Sequence, residues 1–543
     1  MPCKTEFLTT ENIEATVQDL QINPYTLVVA EESPEFKGEL IFQPLQGEQI
    51  FYEQYQDWLS RYLILNQPFV LVDFVEQLEK DGYTVLFMKS CQHILDGYER
   101  WRKPLEINGF HAPGGGNLYP YQTFSLNRAL ERIDAPDAPD RTYFVGWWPG
   151  AGKSVFACAG AQEAINRGQV DLVLAFTLMK LKTNLSNFFQ ANTSLQTVVN
   201  DGPAAKRKAR YENGSQVFVL NYDKAWADFE YLLPLVTGKR VLFILDEAQK
   251  VLTDGSPNRS RKHLDKLIQA SEPVIWPMSA TVVSHSPFKY RDVFSIGGFR
   301  RNPLGTKADF EIRYAKRRRF FEIRTKTGGK FQQIFYDWDL PKLHEIRHRV
   351  ADRCHNVRKT DPGIKENFKG MQTVVIPVQM SKEDRELYDL VCEHARGAVE
   401  REESLAPYYR LLRYICNTPE SLQHTNEQLG QALSQSYPKL ASSDHCAKLE
   451  MLLDQVESIR DSDDKVVVFC QWTHLGVLLL ERHLAARKIR YVLHYGVGQS
   501  DAESQRAQKE FKSDPDITVF LSSDAGAFGL SFQEARYVIN YDV

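Results

Sequence analysis

The stretch Val145-Gly146-Trp147-Trp148-Pro149-Gly150-Ala151-Gly152-Lys153-Ser154 constrains the fold more than any other part of this 543-residue chain. Tyr143, Phe144 and Val145 read as the end of a buried strand, and Val155 to Arg167 as an amphipathic helix. A glycine-rich turn between them aims backbone N–H groups and a positive helix end at a triphosphate. Gly150, Ala151 and Gly152 would let the backbone approach the phosphates. Lys153 would reach the β- and γ-phosphates, and the Ser154 hydroxyl would sit on Mg²⁺. The strict pattern asks for glycine at position 147, which is tryptophan here. An ordinary surface turn is the alternative reading.

A second site decides between the two. Arg240-Val241-Leu242-Phe243-Ile244-Leu245 is a continuous apolar run of buried-strand type that stops abruptly at Asp246-Glu247-Ala248-Gln249. Packing accounts poorly for two adjacent carboxylates at the carboxyl end of a parallel strand, and an acidic turn closing the strand is the alternative reading. Paired with the glycine-rich turn they read as a phosphoryl-transfer centre. Asp246 would hold Mg²⁺ through water and Glu247 would orient and deprotonate the attacking water, with Gln249 beside them.

No apolar run approaches the roughly twenty residues that cross a bilayer, and the start, Met1-Pro2-Cys3-Lys4-Thr5-Glu6, lacks a signal-peptide core. The expectation is a globular cytoplasmic or nucleoid-associated protein, not secreted and without a membrane partner. Its eight cysteines show no Cys-x-x-Cys pair, which argues for reduced thiols and against a zinc or iron–sulfur site.

The net charge of −4 is unevenly placed. Seventeen acidic residues face six basic ones between Met1 and Arg100, whereas the middle of the chain carries three basic clusters. These are Lys206 to Arg210, Arg259 to His263, and the dense run from Arg313 through Arg317, Arg318 and Arg319 to Lys330. The last mixes arginine with Phe320 and Phe321 and is the candidate contact with a phosphate backbone. A solvated helix face is the alternative for each.

Four blocks follow from the pattern: an N-terminal domain over 1–110, an α/β block over 117–301, a basic, largely helical segment over 302–369, and a second α/β block over 370–543. Strands are expected at Tyr25 to Ala30, Thr84 to Met88, Val170 to Phe176, Gln216 to Asn221, Val241 to Leu245 and Val274 to Pro277. Further strands are expected at Lys465 to Phe469, Tyr491 to Leu493, Thr518 to Ser522 and Tyr537 to Tyr541. A helical pattern surrounds Phe51 to Leu65. His111-Ala112-Pro113-Gly114-Gly115-Gly116 reads as a joint.

From Leu118 to Val543 the phrases, in order, resemble the superfamily-two helicases and, within them, the Swi/Snf-type DNA translocases. Leu118-Tyr119-Pro120-Tyr121-Gln122 is similar to the adenine-reading element, with Gln122 as reader. Ala175-Phe176-Thr177 resembles motif Ia, and Val219-Leu220-Asn221-Tyr222 the strand ending in Thr-Tyr. Met278-Ser279-Ala280-Thr281 resembles motif III, which couples nucleotide state to lobe movement, although its Ser-Ala-Thr form leans toward other branches of the superfamily. Three phrases between the lobes favour the Swi/Snf type. They are Asn356 to Thr360, Val374 to Ser381 leading into Leu387-Tyr388 as the strand and helix that open the second lobe, and Leu411 to Pro419, in which Thr418 replaces a histidine. Lys465 to Thr473, including Gln471, resembles motif IV. Ser522-Ser523-Asp524-Ala525-Gly526-Ala527-Phe528-Gly529 resembles motif V, whose small residues let N–H groups approach a phosphate.

The resemblance implies two RecA-like parallel-sheet lobes with a helical inter-lobe insertion and an extra N-terminal α+β domain. It implies ATP and Mg²⁺ as cofactors, and an ATP hydrolase that moves on double-stranded DNA. Gly526 and Gly529 would face nucleotide, and Thr177, Ser279, Thr281, Gln471 and Ser523 would serve coupling and nucleic-acid contact. A strand-separating helicase on DNA or RNA is one alternative, and a non-catalytic, nucleotide-switched clamp is another. A protein partner of the N-terminal domain is unassigned. Motif VI, whose arginines reach the γ-phosphate, would follow Val543. The expectation is therefore an incomplete second lobe and slow hydrolysis by these 543 residues.

Overall fold

The computed structural model describes residues 25, 27–32, 40–47, 49, 51–54, 68–135, 141–253, 256–281, 286–298, 302–324, 330–343, 345–358, 372–400, 404–442, 446–496, 498–523 and 532–542. The chain divides into two compact units, Met1–Gly370 and Met371–Val543.

The first unit opens with a small mixed sheet of β1 (Leu27–Glu32), β2 (Leu40–Pro44) and β3 (Thr84–Phe87), in the order β2-β1-β3. Helices α1 (Pro68–Lys80) and α2 (Gln92–Arg102) accompany it. Its core of Phe42, Phe74, Leu78, Phe87 and Tyr98 continues into Phe124, which belongs to the next helix, α3 (Pro120–Ile133). Tyr98 stacks on Phe124 at 6.1 Å, and the Arg128 guanidinium lies 4.9 Å from the Trp101 ring. Of the helix expected over Phe51 to Leu65, residues 51–54 are described and are helical.

The main sheet of this unit has seven parallel strands. Six are β4 (Phe144–Trp147), β5 (Leu172–Thr177), β6 (Thr197–Val199), β7 (Val217–Asn221), β8 (Arg240–Asp246) and β9 (Glu272–Met278). A hairpin of β10 (Ala315–Arg324) and β11 (Lys330–Trp338) precedes the seventh, β12 (Cys354–Val357). The order is β12-β4-β9-β8-β5-β7-β6. Strand β8 shows why the runs are apolar throughout. Val241, Phe243 and Leu245 enter one core with Leu174, Phe176 and Phe218, while Leu242 and Ile244 enter the opposite one with Val173, Ala175 and Trp276. A parallel sheet covered on both faces has no solvent side to encode in polar residues. Helices α3 and α4 (Lys153–Asn166) cover the second face so closely that a Cβ on Gly160 would lie 2.4 Å from the Trp276 ring.

The second unit is a four-stranded parallel sheet of β13 (Val466–Phe469), β14 (Tyr491–His494), β15 (Val519–Ser522) and β16 (Tyr537–Asn540), ordered β14-β15-β13-β16. The expected strands thus form in both sheets, and the architecture is that of two RecA-like lobes with an N-terminal α+β portion. Two sequence expectations are corrected. The dense basic run is not helical: after α5 (Lys307–Tyr314) it enters the antiparallel β10–β11 hairpin, with Arg318 opposite Tyr336 and Arg319 opposite Phe335. Alternate residues point to opposite sides, so a period-two ribbon underlies what composition made look like a charged helix. The phrase from Val374 to Ser381 is followed by the expected helix, α6 (Lys382–Glu400), but forms no strand. Val374, Val375 and Ile376 are exposed, and with no neighbouring strand among the described residues their backbone joins no ladder.

In each of the other two basic clusters one arginine is structural. Arg207 holds the fully buried Asp228 through both Nε and Nη2, and the Tyr211 hydroxyl donates to the same carboxylate. Arg261 is buried between Asp265 and Asp292. Removing one partner of such a pair leaves an uncompensated charge, at a cost of about 3–5 kcal/mol. Arg207→Ala should therefore lower unfolding stability by about that amount in urea titrations while leaving the salt dependence of nucleic-acid binding unchanged. A loss below about 1 kcal/mol, the worth of an exposed pair, would contradict this assignment.

Candidate active site

Strand β4 ends at Trp147 and α4 begins at Lys153, so the glycine-rich turn spans sheet and helix as the sequence requires. Gly150 and Gly152 have φ of +82° and +85°, a region that a Cβ strains. A Cβ on Gly152 would also lie 2.3 Å from Gln122 Nε2. The turn is thereby shaped for backbone rather than side chain to face a ligand. Lys153 Nζ donates to the Trp147 carbonyl at 3.0 Å; burial holds its pKa below the ordinary value, against the charges of Glu247 and Asp246. Ser154 follows in the first turn of α4.

Helix α3 closes over the turn. The Tyr121 hydroxyl and Gln122 Nε2 both donate to the Ala151 carbonyl, at 2.8 and 3.2 Å, and Gln122 Oε1 accepts from the Tyr119 backbone N–H at 3.0 Å. The Gln122 amide is thus engaged with the turn and with its own helix start.

The acidic pair stands beside the turn because β8 lies two strands from β4, with β9 between them. Thr177, at the end of β5, donates its hydroxyl to Asp246 Oδ2 at 2.9 Å, and the Tyr222 hydroxyl donates to the Asp246 carbonyl at 2.7 Å. Burial, then the neighbouring Glu247, raises the Asp246 pKa to about 6, opposed by the Thr177 hydrogen bond and the Lys153 charge. Glu247 sits at φ +51°, a strained conformation for a side chain of its size that turns the chain immediately after the strand. Its Oε2 accepts from Gln249 Nε2 at 2.7 Å; Gln249 Oε1 accepts from the Ser279 hydroxyl at 2.6 Å; and Ser279 Oγ accepts from the Thr281 N–H at 3.1 Å. The register that pairs Asp246 with Met278 makes this chain of bonds possible. Three expected sites are joined: the turn, the acidic pair and the Ser-Ala-Thr segment. The Ser154 hydroxyl and Asp246 carboxylate are hard oxygen donors, and that chemistry fits Mg²⁺.

In the second unit the phrases also meet. Asp542 accepts from the Gln471 N–H at 2.7 Å and from Asn417 Nδ2 at 3.1 Å, while Lys448 Nζ donates to Asn417 Oδ1 at 2.7 Å. Burial lowers the Lys448 pKa. Ser523 is buried, and its N–H donates to the His494 carbonyl at 2.9 Å. Gly526 and Gly529 lie outside the described residues. On the hairpin, Arg318 is paired with Glu311 and Arg319 with Asp337, the latter at 2.7 Å, whereas Arg317 has no ion-pair partner among the described residues. Sequence reasoning assigned no role to Tyr121 or Tyr222, although both stood inside quoted phrases. Trp147 registered only as a departure from pattern, and His355 gave no signal.

Comparison with known proteins agrees with the motifs. The helicase conserved C-terminal domain family matches residues 447–543. Helicase SWR1 of Kluyveromyces lactis is 30% identical over 131 residues, which are 24% of this chain and 8% of that protein. The CHD3-type chromatin-remodeling factor PICKLE of Arabidopsis thaliana is 22% identical over 218 residues, 39% of this chain and 15% of that protein. The chain thus spans less than a fifth of the length of these relatives. Among solved structures, the Sulfolobus solfataricus SWI2/SNF2 ATPase core in complex with dsDNA aligns at a TM-score of 0.39 with 16% identity, over 81% of this chain and 84% of that one. The family match and the named relatives make this chain similar to superfamily-two helicases, the Swi/Snf type among them.

Because Asp246 must be ionised to face a cation, Mg²⁺-dependent nucleotide affinity should fall as pH drops through about 6. Titration of one such carboxylate between pH 7.5 and 5.5 predicts a loss of about fourfold, and Asp246→Asn should bind weakly with little pH dependence. Calorimetric titrations with and without Mg²⁺ check this. An unchanged pH profile in Asp246→Asn would contradict the assignment.

Proposed function

We propose that this chain is the ATPase motor of a translocase on double-stranded DNA, with 117–301 completed by strand β12 as one lobe and 370–543 as the other, the rest of 302–369 between them and 1–110 as an appended domain. The observation that carries the reading is the path Glu247–Gln249–Ser279–Thr281. It connects the residue placed to orient water with the segment placed to report nucleotide state. In this reading Gly150, Ala151, Gly152 and Lys153 cradle the triphosphate, Ser154 and Asp246 hold Mg²⁺, and Glu247 accepts the proton of the attacking water. Mg²⁺, when bound, supplies charge neutralisation at the phosphates. Gln249 fixes the Glu247 carboxylate and passes a change in its position to Ser279. Gln122 stands by the turn as the adenine-side residue. Thr177, Thr281, Gln471 and Ser523 serve coupling and nucleic-acid contact, with Gly526 and Gly529 near phosphate. Residence with DNA in the cell follows.

The decisive assay is displacement of a third strand from a DNA triplex by the protein expressed from its complete gene. ATP-dependent displacement without separation of the underlying duplex is expected, together with duplex-stimulated turnover. Unwinding of the duplex would favour a strand-separating helicase, and binding without turnover a nucleotide-switched clamp.

The hairpin arginines would contact phosphates. Each contact releases counterions worth about 0.9 in the slope of log affinity against log salt. Arg317→Ala should flatten that slope by about one, more than Arg318→Ala or Arg319→Ala, whose guanidinium groups are shared with Glu311 and Asp337. Equal slopes in wild type and Arg317→Ala would remove the hairpin from the interface.

A further inference from the structure

Trp147 stands where the phosphate-turn pattern has glycine, and its side chain is fully buried. Its ring meets Tyr121 and Phe156, each at 5.4 Å, and His355 at 5.8 Å. Its indole N–H donates to His355 Nδ1 at 3.3 Å. Indole nitrogen can only donate, so His355 must offer Nδ1 as an unprotonated acceptor. Burial and the nearby Arg128 charge favour that neutral ring.

His355 lies on β12, distant in sequence but seated beside the turn. β12 pairs in parallel with β4, matching His355 to Val145 and Val357 to Trp147, and the Trp148 N–H donates to the Val357 carbonyl at 2.9 Å. The approach is tight: Asn356 Oδ1 lies 2.0 Å from where a Cβ on Gly146 would be. The segment before β12 is fastened to α3, since Arg128 Nη2 donates to the Ala351 carbonyl and Arg132 pairs with Asp352 at 3.1 Å. The Trp147 carbonyl in turn accepts from Lys153 Nζ. An unbroken series of contacts therefore runs from α3 through β12 and the Trp147 side chain to the phosphate-facing lysine.

We propose that His355 is a positioning residue for the phosphate-binding turn, acting through the indole of Trp147. Tryptophan at position 147 then replaces the freedom of a glycine with a fixed anchor. The proposal deepens the nucleotide-site reading above and rests on it for its ligand. It has one consequence independent of nucleotide: the turn should be held in the free protein.

The test compares His355→Leu, which removes the acceptor while keeping an apolar filling, His355→Asn, whose Oδ1 can stand in for Nδ1, Trp147→Phe, and the Trp147→Phe/His355→Leu double variant. In the nucleotide-free protein, amide hydrogen exchange of residues 148–154 should quicken about fivefold in His355→Leu, the scale of one neutral hydrogen bond, with β5 and β8 unchanged. His355→Asn should exchange within about twofold of wild type, and the double variant no faster than the worse single one. Affinity for a fluorescent ATP analogue should follow the same ranking. Wild-type exchange of the turn in His355→Leu overturns the proposal, as does a His355→Asn that is as fast as His355→Leu, or additive effects in the double variant. Faster exchange confined to the turn, with no analogue bound by any variant or by wild type, supports the positioning role and overturns the nucleotide reading instead.

Discussion

A carboxylate at the end of a fully buried strand must be compensated, and the arrangement around Asp246 follows from that requirement. The strand beneath it is apolar on both faces, so water cannot solvate the group from below. Thr177 supplies a hydrogen bond and Lys153 a positive charge, yet burial and Glu247 outweigh them and the pKa still rises to about 6. Two acids face one lysine. The surplus negative charge is most simply met by a divalent cation, and the same cation would relieve triphosphate repulsion. In the proposed reading the site binds a metal and a nucleotide together.

In the proposed reading, the geometry next to Asp246 gives this electrostatic centre a route by which to signal. Glu247 leaves the strand in a left-handed conformation, which swings its carboxylate toward Gln249 instead of continuing the ladder. Gln249 is an amide and can donate to the acid while accepting from Ser279, so one side chain joins β8 to the end of β9. A shift of the Glu247 carboxylate cannot occur without disturbing Ser279 or breaking a bond. The second unit has its own junction at Asp542, whose carboxylate is shared by two segments far apart in sequence, at Asn417 and at Cys470-Gln471.

The strands that carry this chemistry were legible because a doubly covered parallel sheet writes itself as continuous apolar runs. Strands β5, β8 and β9 are such cases. The acidic pair was legible because it breaks that pattern. What escaped the sequence depends on tertiary neighbours. The run at Arg317 to Arg319 has the period of a strand, but charge on both faces hides it, and the pairing with Asp337 and Tyr336 appears only once the ribbon folds back. The run from Val374 to Val378 has strand composition, yet a strand exists only with a partner. The coupling of Trp147 to His355 links residues 208 positions apart and leaves no local trace. The residues proposed for the phosphate site could be named from the sequence, whereas the bonds among them could not.

The central claim is that Lys153 and Glu247 act on one bound triphosphate in different ways, one holding it and the other acting on water. Equilibrium titration with a fluorescent ATP analogue and Mg²⁺ tests this most directly, comparing wild type, Lys153→Ala and Glu247→Gln. The account predicts that Lys153→Ala loses binding by at least about tenfold, the worth of one charge-assisted contact. It predicts that Glu247→Gln binds as tightly as wild type, since it keeps the shape of the side chain while removing the base. Wild-type affinity in Lys153→Ala, or binding lost in Glu247→Gln as in Lys153→Ala, would contradict it.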